Sequence, residues 1–149
     1  MSILINHLQN MNEQLNLIKE KIISLLKNLG NELWVTSKIE IQFPPFINRG
    51  WNGATYFYDS EGKQISLIIP DYFSLSDLVG IFIFKHNKKS DYNTITFSCY
   101  RNDYSNAVIE VSFSQEVEDN FRNNLPKSWR KKTIVPWWKN PEETKNLNL

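Results

Sequence analysis

Leu4, Leu8, Met11, Leu15, Ile18, Ile22, Leu25 and Leu29 recur at alternating steps of four and three, the spacing that lines one stripe of a helix. Asn, Gln, Glu and Lys fill the intervals, so one face is wet and the other needs cover from a sheet or a second chain. Gly30 closes the helix. Over 33–43 the period drops to two. Val35, Ile39, Ile41 and Phe43 alternate with Trp34, Thr36, Lys38, Glu40 and Gln42, which predicts a half-buried strand with the second set turned to water. Pro44-Pro45 ends it.

Two hairpins follow from turn chemistry. Asp59-Ser60-Glu61-Gly62 separates the alternating runs 54–58 and 63–69, and a glycine at the end of such a loop suits antiparallel pairing. Asn102-Asp103-Tyr104-Ser105 joins 94–101 to 106–113 in the same way. Between the hairpins, Ser74 followed three residues later by Asp77 resembles a capping box and predicts a short second helix, although Gly80 and Ile81-Phe82-Ile83-Phe84 suit a strand equally. Ser114 caps a third helix with Glu116, Glu118 and Asp119 in its first turns, where the helix dipole favours carboxylates, and Pro126 limits it. The predicted class is α+β: an antiparallel sheet of four to five strands packed against a long N-terminal helix, with shorter helices at the edges. One domain is expected over 1–140, with 141–149 as a disordered tail.

A chain of 149 residues can bury one core. Its net charge of +1 gives no long-range field for nucleic acid or an anionic membrane, so any electrostatic function is local. The N-terminus lacks the basic start and apolar run of a signal peptide, and no apolar stretch approaches the roughly 20 residues that span a bilayer. A soluble, cytoplasmic protein is expected, and the single cysteine, Cys99, excludes an internal disulfide. His7 and His86 stand apart on separate helices, and Cys99 shares a strand face with Ile95 and Phe97. Neither a metal site nor a Cys-His nucleophile follows from that spacing. None of the five glycines forms a phosphate-binding loop. A carboxylate pair is the one enzymatic alternative left open, but Glu116, Glu118 and Asp119 read first as a solvated helix start. The expectation is a protein with no catalytic residue and no cofactor.

What remains is binding. Between Asp119 and Glu142 there is no acid, and six bases accompany three of the five tryptophans. Cations beside flat rings suit a charged partner, and they suit equally a tail whose tryptophans pack on their own sheet while its lysines reach water. Arg130, Lys131 and Lys132 are the candidates that survive both readings. Phe46, Arg49 and Trp51 in the loop 44–53 are residue types that make hot spots. Glu110, Glu116, Glu118 and Asp119 form a complementary acidic strip. This unevenness in a neutral chain favours a protein partner over nucleic acid, with the chain itself a monomer or weak homodimer. A nucleic-acid-binding module using 127–139 is the alternative.

The amphipathic start, Glu32-Leu33-Trp34-Val35, Gly53-Ala54-Thr55-Tyr56-Phe57-Tyr58 and Ile68-Ile69-Pro70 before a helix together resemble the YezG-like antitoxins over residues 8–113. That resemblance implies a bacterial immunity protein that neutralises the nuclease domain of a secreted or contact-delivered toxin by covering its active site or a neighbouring surface. The second helix is shorter than the family's, and the segment 129–138 has no counterpart in it.

Overall fold

The computed structural model describes residues 3–30, 33–43, 51–86 and 92–124. Helix α1 (Ile3–Lys27) leads into strand β1 (Thr36–Gln42), and strands β2 (Asn52–Tyr58) and β3 (Gln64–Ile65) follow. A 3-10 turn (Tyr72–Leu75) runs into α2 (Ser76–His86), and β4 (Thr94–Tyr100), β5 (Asp103–Ser112) and α3 (Gln115–Asn123) complete the order. The strands form one antiparallel sheet in the order β3-β2-β1-β4-β5. The class is α+β, with five strands, and the N-terminal helix packs on the sheet.

From Met11 to Leu25 the stripe of α1 behaves as its spacing predicts, while the side chains of Leu4 and Leu8 lie outside the description. Met11, Leu15, Ile18, Ile22 and Leu25 are buried, joined by Ile23 and Leu26. They meet Ile39 and Ile41 of β1, Phe57 of β2, and Ile95 and Phe97 of β4, all on one sheet face and all sealed from solvent. Helix α2 lies against α1 and adds Val79, Phe82 and Ile83 to this core, which settles the ambiguity over 81–84 in favour of a helix. Past the helix end, Gly30 has φ +73°, a conformation that glycine adopts without strain.

The first hairpin turn is a three-residue loop. Gly62 N–H donates to the Asp59 carbonyl at 3.0 Å and Asp59 N–H to the Lys63 carbonyl at 2.8 Å, with Gly62 at φ +79°. The Asp59 carboxylate accepts from the N–H groups of Glu61 and Lys63, each at 2.9 Å.

Four sequence expectations are corrected. Trp34, placed on the wet face of a strand, is buried (1% exposed) and meets Phe57 edge-on at 5.5 Å. Alternation holds only inside a pleat, and the pleat begins at Thr36. The run 63–69 pairs only through Gln64 and Ile65. On the core face, the Tyr72 ring lies over Gly53, so closely that a Cβ there would fall within 2.7 Å of its Cζ. Ser74 caps no helix: its hydroxyl donates back to the Asp71 carbonyl at 2.6 Å inside the 3-10 turn. The second hairpin is tighter than its four predicted loop residues, because Tyr100 pairs with Asp103 across Arg101 and Asn102 alone, the latter at φ 66°, a conformation asparagine tolerates.

Candidate partner-binding surfaces

Each β1 side chain on the face away from α1 has cross-strand neighbours on both sides. Lys38 stands between Tyr56 and Ser98, and Ser98 pairs with Val108. Glu40 stands between Ala54 and Thr96, and Thr96 pairs with Glu110. Glu40 and Glu110 therefore share one face with Thr96 between them. The charge of Glu40 is offset locally, since Lys38 Nζ lies 3.0 Å from its carboxylate and Gln42 Nε2 donates to it at 3.2 Å. The hydrogen bond and charge of Glu40 raise the Lys38 pKa. Glu110 is exposed.

The acidic strip continues into α3, whose start is held by a small network. Ser114 Oγ accepts from Val117 N–H at 3.3 Å, the predicted N-cap. Asn93, fully buried, grips the same residue twice: its Nδ2 donates to the Ser114 carbonyl and its Oδ1 accepts the Ser114 N–H, both at 2.8 Å. The Asn93 carbonyl also accepts from Phe43 N–H at 3.0 Å, next to the end of β1. Sequence reasoning missed Asn93, and its only signal was a polar residue at the mouth of an apolar strand. Glu116 and Asp119 are exposed, and Asp119 accepts from Gln115 Nε2 at 2.9 Å. Glu118 is half-buried and held by Arg122 at 3.4 Å, so of the predicted carboxylates it is the least available to a partner.

Of the loop candidates, Trp51 is described and half-buried. It meets Tyr72 edge-on at 5.7 Å. The pair lines a cleft of about 630 Å³ with Asn52, Gly53, Phe73, Ser76 and Gly80. Phe73 is 87% exposed at its lip, and Ile68 is 88% exposed. Burial pushes the Tyr72 pKa up to about 12, and its buried hydroxyl has no hydrogen-bond partner among the described residues. Phe46, Arg49, Arg130, Lys131 and Lys132 lie outside the described residues, as does the whole segment 127–139 and the tail 141–149.

Cys99 is buried on the core face, as its alternation with Ile95 and Phe97 predicts. Burial, reinforced by the charge of Asp103, pushes its thiol up to about 11, away from thiolate chemistry. Among the described residues no three His, Cys, Asp or Glu converge as metal ligands, and no helix is long and apolar enough to cross a membrane. No protein-family model and no curated protein matches this chain.

Proposed function

We propose that this chain is a cytoplasmic bacterial immunity protein of the kind the YezG-like resemblance implies. In this reading it neutralises a cognate toxin, a nuclease effector domain, by binding over its active site or an adjacent surface. The observation that carries the proposal is the exposed acidic run formed by Glu110, Glu116 and Asp119, in a stretch, 102–121, with five acids and no base. A nuclease presents cations where it holds phosphates, and carboxylates spaced along a strand and a helix start offer those cations a protein substitute. No chemical step is asked of the chain itself.

The test is co-expression with the protein encoded by the adjacent gene, followed by co-purification and a toxicity assay. Wild type forms a stable complex and protects the cell. The variant carrying Glu110→Lys, Glu116→Lys and Asp119→Lys weakens the complex by about 100-fold or more, because each rim charge is reversed rather than removed. A lone monomer that protects against nothing, or a triple variant that binds as wild type does, overturns the proposal.

A further inference from the structure

Among the described residues, strand β5 is the last strand of the sheet and has one neighbour, β4. It is ten residues long, against two for β3 at the opposite edge. No described element runs along its outer side, and α3 leaves from its end without lying on it. Natural edge strands are blunted by brevity, bulges, charge or proline. β3 is blunted by brevity; β5 (DYSNAVIEVS) has no proline and no lysine, and its register shift against β4 falls at the hairpin end, between Ser98 and Tyr100, which leaves 108–112 in regular pairing.

The side chains of β5 are unevenly covered by the described residues. Ile109 and Val111 point into the core face and pair with Phe97 and Ile95, which are fully buried, yet both are only partly buried. A residue in a central strand is covered from both sides, and among the described residues these two have a strand on one side. On the opposite face Val108 is 52% exposed and Glu110 stands beside it. The edge thus offers apolar positions on one face and a carboxylate on the other, alternating as any neighbouring strand would have to alternate.

We propose that the outer edge of β5 accepts, as a sixth strand, an extended protein segment in which apolar and basic residues alternate. The apolar side chains would complete the cover over Ile109 and Val111, while the basic ones meet Glu110. Main-chain hydrogen bonds hold the segment and the alternating pockets select it. Charge decides the occupant. A second copy of this chain would bring its own β5, setting two base-free acidic stretches side by side, whereas a basic strand is attracted along the same line. This inference rests on the proposed toxin-binding role and names the mode of contact.

The probe is a ten-residue peptide alternating valine and lysine, added to the isotope-labelled full chain, with a valine-glutamate peptide as control. Amide exchange is followed at every residue of β5. Alternate amides of β5, those directed away from β4, should slow by about ten-fold or more with the lysine peptide and not with its control. Glu110→Lys should weaken lysine-peptide binding by about ten-fold, and Glu110→Gln, which keeps size and polarity, by a smaller factor in the same direction. Absence of slowing in β5, slowing confined to the Trp51 cleft, or equal affinity in both variants overturns the proposal. So does protection of the outer amides in the dilute free chain, which means its own residues fill the edge, or protection that grows with protein concentration alone, which means a second copy does. Because the peptide reads the edge without any toxin, a failed co-purification and a failed strand addition are separate results.

Discussion

Ser37 lies on the core face of β1 between Phe57 and Cys99, 2% exposed, and its hydroxyl has no hydrogen-bond partner among the described residues. A buried hydroxyl without a partner costs about 1–3 kcal/mol of desolvation. Ser37→Ala removes that cost and a single small atom, so it should stabilise the fold by about 1 kcal/mol in urea unfolding. Its neighbour across the ladder, Cys99, couples stability to alkali. The folded thiol titrates at about 11 against an ordinary 9.0, so the fold prefers the protonated form. That contribution is complete below pH 9.0 and is lost as pH rises from 9.0 towards about 11. Cys99→Ala should accordingly lose less stability than wild type between about pH 8 and about pH 10.5, read by urea unfolding at each pH. Tyr72 titrates in both proteins and cancels in the comparison. The burial of Cys99 was legible from alternation, whereas that of Trp34 was not. What fixes Trp34 is a contact 67 residues away along the chain, Arg101 Nε donating to its carbonyl at 2.6 Å, and no local pattern carries such a bond.

At the scale of elements, periodicity and turn chemistry located α1, α3 and the described strands, left 81–84 open between helix and strand, and missed the 3-10 turn, while tertiary contacts set their limits. The four-three spacing gave α1, Asp59 to Gly62 gave the first turn, and Ser114 gave the start of α3, because each depends on residues within one turn of one another. β3 was overestimated because its length depends on how far the chain stays beside β2, and pairing stops after Ile65. The attachment of α3 was invisible for the same reason: Asn93 and Ser114 are 21 residues apart. Asn93→Ala leaves the Ser114 N–H and carbonyl without their buried partner and should destabilise the protein by about 2–4 kcal/mol. Amide exchange in the first turn of α3 should quicken more than in α1, since the fastening lost belongs to α3. Equal exchange in both helices would mean that Asn93 acts only through global stability.

At the scale of the molecule, near-neutral charge conceals two opposed stretches, acidic over 102–121 and basic over 120–141. The candidate site was legible as composition but not as surface. The sequence marked Glu110 and Glu118 alike, yet Glu110 stands exposed on an edge strand, whereas Glu118 is half-buried against Arg122. Nor does composition distinguish the two edges of the sheet, which depend on how many residues β3 and β5 manage to pair.

The strand order has a further consequence, for the chain as it is made. β1 is the middle of the sheet, yet only β2 follows it closely, and its other neighbour, β4, begins at Thr94. A nascent chain that has delivered β1 and β2 holds its central strand with one flank open until β4 leaves the ribosome. The same pairing of distant segments raises contact order and slows folding. During that interval Ile39 and Ile41 have only β2 and α1 for cover, so the half-made protein is the form most exposed to wrong strand pairing and to chaperones.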